Sequence, residues 1–298
     1  MLICDTHADT ICARLKGWNN GQFDVTRENL AQSPGTRVQT MALFIPPNGM
    51  QEEPDIARQQ LMEFERMKAL GFRQIRTLDE ALPGEANVLL SIEGGEAFGS
   101  SVEGVDAMAD AGVRLAALTW NTPNEIAQPA LCGNDTGLKP FGREVVRRMH
   151  QRHMAADVSH LNPRGFWELM ETGVAPMASH SCVWTLCPNE RNLTDDQLRA
   201  LIEAGGFIGI NFYTGFLNPD MKADLDTVVD HMAYICDMGG EDCVGFGSDF
   251  DGIDDYPLGL RTAADVPRLI DRIRQRGFGE KLTEKIAGLN FKRYLESI

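Results

Sequence analysis

His7 and Asp9 stand two residues apart in ICDTHAD, inside an apolar run that begins almost at the N-terminus. Other apolar runs end in the same manner: Glu93 closes one, Asn121 another, and His160, His180 and Asp249 close three more. Imidazoles and carboxylates are the usual ligands of divalent metals, and such groups are costly to bury without a partner. One histidine at the end of a strand is ordinarily a hydrogen-bonded structural group. Three at equivalent places in separate strands point to a metal. Together with the acids they exceed what one tetrahedral ion can use, so the expectation is two ions sharing a carboxylate, with Glu93 as the bridge. Many metal-dependent barrels bridge with a modified lysine on the fourth strand, but here that run reads LAALTWN and has no lysine. Asp249 is placed to take a proton from metal-activated water and pass it on.

The elements that must hold these residues alternate regularly. Apolar, strand-like runs occur at 2–8, 38–45, 87–94, 115–121, 154–161, 176–181, 207–213 and 243–250. Stretches with helical periodicity lie between them, such as DIARQQLMEFERMKAL, GREVVRRMHQRH and TDDQLRALIEAGG. The last of these carries a capping box, Thr194 with Gln197, and stops at Gly205–Gly206. Eight strand-then-helix units in one chain predict an α/β fold, a single-domain (β/α)8 TIM-like barrel over residues 1–298, with the site at the C-terminal ends of the strands. The segment 10–37 has weak periodicity and is expected to run over the barrel mouth. His150, His153 and His231 fall on helices and are read as surface or packing residues.

Composition narrows the function. The 298 residues hold 28 Lys plus Arg against 43 Asp plus Glu, a net charge of −15 that argues against nucleic acid and against an anionic membrane as partners. No signal peptide, long apolar segment or C-terminal anchor signal is visible, so a cytoplasmic protein is expected. The seven cysteines are scattered, form no CxxC pair and read as small apolar residues in a reducing compartment. GFGSDFDG resembles neither a phosphate loop, which would not carry Asp249 and Asp251, nor a calcium loop, whose glycine falls elsewhere. Asp251 is read as a turn carboxylate that caps local N–H groups.

The segments DTHAD, LLSIEGGEA, LTWNTPNE, PFGREVVRRM, DVSHLNPRGFWEL, ASHSCVWTLCPNERNLTDDQLRAL, GGFIGINFY and VGFGSDFDG occur in this order. The chain thereby resembles the membrane (renal) dipeptidase family of the amidohydrolase superfamily, peptidase family M19, over nearly its whole length. The resemblance implies a dipeptidase with two zinc ions per chain on a TIM-like barrel, acting on a small dipeptide and forming a homodimer. It implies that His7 and Asp9 are zinc ligands, that Glu93 bridges, and that His160 and His180 bind the second zinc. Asp249 matches the catalytic aspartate, Arg191 matches the arginine that binds the substrate's terminal carboxylate, and Tyr213 lies beside it. Asp5 is expected to support the first motif.

The departures concern substrate. Trp120 and Asn121 stand where mammalian-type members have a histidine that touches substrate, Glu96 stands for a histidine in EGGH, and Ala8 for an asparagine. Asn121 is therefore a candidate substrate contact. The expected chemistry is attack of a metal-bridging hydroxide on an amide of a short dipeptide, with either stereochemistry at the C-terminal residue. Two rivals stand beside it: a related hydrolase of N-acyl amino acids, lactones or other small amides, and a metal-binding protein without turnover.

Overall fold

The computed structural model describes residues 1–46 and 53–298. Among the described residues nine parallel strands form: β1 (Leu2–Asp5), β2 (Thr36–Phe44), β3 (Phe72–Gln74), β4 (Ala86–Glu93), β5 (Val113–Ala117), β6 (Ala155–Asp157), β7 (Met177–Ala178), β8 (Phe207–Ile210) and β9 (Val244–Phe246). They pair in the order β2-β1-β9-β8-β7-β6-β5-β4, and β2 pairs with β4 to close the ring. This is the expected (β/α)8 barrel, with helices between the strands.

The ninth strand, β3, was not evident in the sequence. Phe72 pairs with Ala86 and Gln74 with Val88, and β2 already holds the other edge of β4. So β3 occupies the N-terminal end of the edge that β5 takes over from Leu90 onward. Three residues are too few to show a period.

All eight expected runs are strands, but most stop earlier than their apolar patterns do. The run 154–161 pairs only at Ala155–Asp157, and 243–250 only at Val244–Phe246. Past these points the backbone leaves the ladder to present polar side chains. His160 and Asp249 adopt left-handed backbone, with φ of 68° and 65°. Such a conformation is strained for residues with a Cβ and persists where surrounding contacts enforce it.

A helix at Asn290–Ser297 closes the opposite end of the barrel. Its Phe291, Tyr294 and Leu295 form an apolar cluster with Cys4, Val38, Leu89, Leu115, Met177 and Phe207 from six strands. The rings of Phe207 and Phe291 pack in a tilted arrangement with centroids 5.1 Å apart. The barrel is therefore plugged at its floor and open only at its mouth.

Of residues 10–37, Trp18 and Asp24 lie at that mouth, whereas helix Arg27–Ala31 brings Arg27 beside Gly71 and the chain begins β2 at Thr36, at the other end of the barrel. Asp24 fastens the segment there: its carboxylate accepts the backbone N–H of Asp251 (3.1 Å) and the Tyr256 hydroxyl, and pairs with Arg261 at 2.7 Å.

Candidate active site

The five candidate metal ligands and the candidate catalytic Asp249 each lie at or just beyond the C-terminal end of a strand, and the barrel gathers them on one patch. His7 and Asp9 follow β1, Glu93 ends β4, and His160, His180 and Asp249 follow β6, β7 and β9. All six are buried, from 1% exposure for His180 to 9% for Asp249.

Glu93 sits between two groups of ligands. Its Oε2 lies 3.5 Å from His7 Nε2, while its Oε1 lies 2.8 Å from His160 Nε2 and 3.4 Å from His180 Nε2. On the His7 side, Asp9 Oδ2 and Asp249 Oδ1 are each 3.7 Å from the same Nε2. These separations are too long for hydrogen bonds, and His7 Nε2 and Asp9 Oδ1 are buried without a hydrogen-bond partner. Two ligands of one tetrahedral ion, each about 2.1 Å from it, stand about 3.4 Å apart. The cluster has the spacing of groups facing a cation, and His7, Glu93 and His180, or His7, Asp9 and Asp249, converge within 4.8 Å.

The ring tautomers agree with this. His160 Nδ1 meets Asn121 Oδ1 at 2.8 Å, so Nδ1 carries the proton and the Nε2 lone pair faces Glu93. The Ser179 hydroxyl donates to Asp157 Oδ2, which leaves its oxygen to accept from His180 Nδ1 at 2.7 Å. His180 Nε2 is thereby also left as a lone-pair donor. Such outer hydrogen bonds orient metal-binding imidazoles.

Electrostatics divide the three histidines. Burial, reinforced by the Arg191 charge, lowers His160 to about 4. Burial and His7 hold His180 well below its ordinary range. Burial also works to lower His7, but Glu93 and Asp9 outweigh it and raise His7 well above. Burial raises Asp9 to about 7, with Glu93 adding to the effect. Burial works to raise Glu93 too, yet His7 and the other two imidazoles hold it well below a normal carboxylate. Without a cation the buried acids thus hold a proton on His7, while the rings of His160 and His180 stay neutral; a divalent cation would take the place of that positive charge.

Asn211 was overlooked in the sequence. Its Nδ2 donates to Asp249 Oδ2 at 2.9 Å, and its own Oδ1 accepts the Tyr213 N–H at 2.7 Å. The available signal was a polar residue just past the end of FIGI, the same position that marks the other site residues. Asp157 and Ser179 were overlooked for the same reason. Asp5 supports the first motif as expected, since its Oδ1 accepts the N–H groups of Ser248 (2.9 Å) and His7 (3.3 Å). Asp251 does cap N–H groups, but they belong to Asp24 (2.7 Å) and Val25 (3.4 Å) rather than to its own turn.

A cavity of about 780 Å3 opens above the ligands. Arg191 and Tyr213 line it, and so does Asn121, whose amide oxygen is already engaged by His160. Arg191 is 5% exposed, and its Nε and Nη2 have no hydrogen-bond partner. Its neighbour Asn192 pins the loop by donating to the carbonyls of Cys187 and Phe216, both at 2.8 Å. An unpaired guanidinium held in a cavity wall is a site for an anion. Of the remaining histidines, His150 and His153 are exposed. His231 is buried and ties two mouth loops together, accepting from Val183 N–H (3.1 Å) and bonding Leu217 O (2.9 Å).

The model of the membrane dipeptidase family, peptidase family M19, matches residues 1–298. The chain belongs to that family. The dipeptidase is 36% identical over 218 residues to an uncharacterised protein of Klebsiella pneumoniae encoded in the pqqA 5′ region, covering 70% of this chain and 80% of that one. It is 32% identical over 247 residues to an uncharacterised dipeptidase of Schizosaccharomyces pombe, covering 81% of this chain and 60% of that longer protein. A metallopeptidase from Rhodobacter sphaeroides, solved with a phosphinate mimic of L-Ala-D-Ala, matches with a TM-score of 0.87 at 25% identity over 99% of both chains. The structure of the family M19 metallopeptidase dipeptidase AC matches with a TM-score of 0.88 at 24% identity, over 99% of this chain and 98% of that one. This protein is therefore a metal-dependent dipeptidase. No described helix is long and apolar enough to cross a membrane.

Proposed function

We propose that the protein hydrolyses dipeptides with a free C-terminal carboxylate, using two zinc ions. His7 and Asp9 would hold one and His160 and His180 the other, with Glu93 shared. The observation that carries this is the division of the Glu93 carboxylate, one oxygen toward His7 and the other toward His160 and His180. When bound, such a pair supplies water acidified toward neutrality and a polarised scissile carbonyl.

The chain's own groups do the rest. Arg191 binds the terminal carboxylate and so fixes how far the scissile amide lies from the anchor, which selects short substrates. Asp249 accepts the proton from the attacking water and delivers it to the leaving amine. Asn211 holds one of its oxygens, so the other is the one aimed toward His7. Burial raises Asp249 above the ordinary carboxylate range, which suits a group that must hold a proton between two steps.

The R. sphaeroides structure with its L-Ala-D-Ala mimic supports including a D-residue at the C-terminal position among the substrates. The proposal includes a homodimer and a cytoplasmic location. Metal analysis of the purified protein, together with hydrolysis of a panel of L,L- and L,D-dipeptides and N-acyl amino acids, tests it. Two ions per chain with dipeptide turnover is the expected result. Turnover of N-acyl amino acids alone would favour the other hydrolase reading, and two ions with no turnover the binding protein.

A further inference from the structure

The barrel's strand order shows where each half of a dipeptide lies. Arg191 stands in the loop after β7, and β2 is four strands from β7 in either direction around the closed ring. β2, which ends at Phe44, therefore stands across the ring from the strand that leads into the Arg191 loop, and Phe44, Arg191 and members of the ligand cluster line the same cavity. Trp120, in the loop after β5, reaches back to Phe44, with ring centroids 5.2 Å apart in an edge-to-face arrangement. The Trp120 and His160 ring centroids are 6.3 Å apart, so the aromatic pair borders the ligand cluster at His160. Trp18, at the mouth, lines the cavity as well.

Charge on the walls is one-sided. Arg191 is the only Lys or Arg among the described residues lining the cavity, whereas Asp251 and Asp254 join the acids of the cluster there. A substrate anchored through its carboxylate on Arg191 extends over the cluster toward Phe44 and Trp120. Its N-terminal side chain then meets aromatic faces, and an anionic side chain there finds no Lys or Arg in the described lining to pair with.

The geometry points to Phe44 and Trp120 as the subsite for a large apolar N-terminal side chain, making this a dipeptidase for substrates with aromatic or branched aliphatic residues at the N-terminal position. The inference rests on the dipeptidase reading and deepens it. Trp120 acts here as a specificity residue, through contact with substrate, in the place where mammalian-type relatives carry a polar imidazole.

The test is a substrate series on the zinc-loaded protein, X-Ala with X as Gly, Ala, Leu, Phe or Glu, and Ala-X with the same residues. The expected result is kcat/KM for Phe-Ala and Leu-Ala at least about 10-fold above Gly-Ala, with Glu-Ala lowest and a weaker spread across the Ala-X set. In Trp120→Ala the Phe-Ala to Gly-Ala ratio should collapse to within about threefold, mainly through KM, and Trp120→Phe should restore much of it. Turnover without an N-terminal preference, or a preference that follows the C-terminal side chain, overturns this inference and leaves the dipeptidase reading standing. Absence of turnover with every dipeptide overturns both. The series on the unaltered protein decides the matter even if the variants fail to fold.

Discussion

His160 Nε2 and His180 Nε2 lie 3.0 Å apart, and both face the same oxygen of Glu93. Both rings are held neutral, and each carries its one hydrogen on Nδ1, toward Asn121 in His160 and toward Ser179 in His180, so neither Nε2 carries a hydrogen. Two lone pairs converging on a carboxylate oxygen repel unless a cation lies among them.

Removal of that cation is the first prediction. Chelation should abolish dipeptide turnover, and zinc should restore it. Glu93→Gln should lower activity by about 100-fold or more and reduce the metal content below two ions per chain, because it weakens the one group facing both sets of ligands. Metal analysis beside the assay checks it; two ions retained in an active Glu93→Gln variant would contradict the shared-ligand arrangement.

The Asp157–Ser179–His180 chain should set metal affinity rather than chemistry. Ser179→Ala removes the acceptor for His180 Nδ1 and should weaken metal binding by about 10- to 100-fold. At saturating zinc, kcat should return to near its original value. Titration with a competing chelator measures the first, and the assay with added zinc the second.

Proton transfer gives a contrasting signature. Asp249→Ala should reduce kcat by about 10²- to 10⁴-fold. Asn211→Ala, which frees the Asp249 carboxylate to rotate, should cost less and shift the pH–rate profile, since the Asn211 hydrogen bond works to lower Asp249. Rates across pH at saturating substrate distinguish the two.

Arg191 exchanges stability for recognition. Its buried Nε and Nη2 have no partner in the free protein, so Arg191→Met should raise Tm while raising KM for free dipeptides by about 10- to 100-fold. Dipeptide amides, which lack the carboxylate, should lose far less. Thermal melts and a paired free-acid and amide assay check both halves.

In the metal-stripped protein the contributions of Asp9 and His7 to stability should be lost as pH rises. Burial, and then Glu93, raise Asp9 from 3.8 to about 7, so between those values the folded state keeps a proton that the unfolded chain has released. The raised His7 acts in the same direction: its contribution is complete below 6.5 and is lost as pH climbs through its higher folded value. The Tm difference between the unaltered protein and Asp9→Asn, measured with a chelator present, should fall between about pH 4 and 7, while the lowered His160 and His180 work in the opposite direction in both. With zinc the slope should reverse, because the ligands must release protons to bind it. Calorimetry across pH, with and without zinc, measures both slopes.

Much of this protein is written locally. Alternation of apolar runs with helical periodicity was enough for the barrel, because each strand is buried over its own few residues and each helix shows one apolar face. The barrel rule then carried His7, Asp9, Glu93, His160, His180 and Asp249 to one mouth, since strand ends in such a ring share a face. What periodicity could not contain is any relationship set by closure of the ring. The three residues of β3 have no period, and the helix at 290–297 reads as one more amphipathic stretch until the barrel floor exists to receive it. Asn211 meets Asp249 across 38 positions and Asp251 meets Asp24 across 227, so neither partner leaves a trace in its neighbourhood. Which oxygen of Glu93 faces which histidine, and that β2 stands across the ring from β7, are likewise consequences of eight strands meeting in a circle. Residue types and their order along the chain set which groups reach the mouth; only the tertiary structure decides which of them touch, because side-chain contacts between distant strands depend on register and closure.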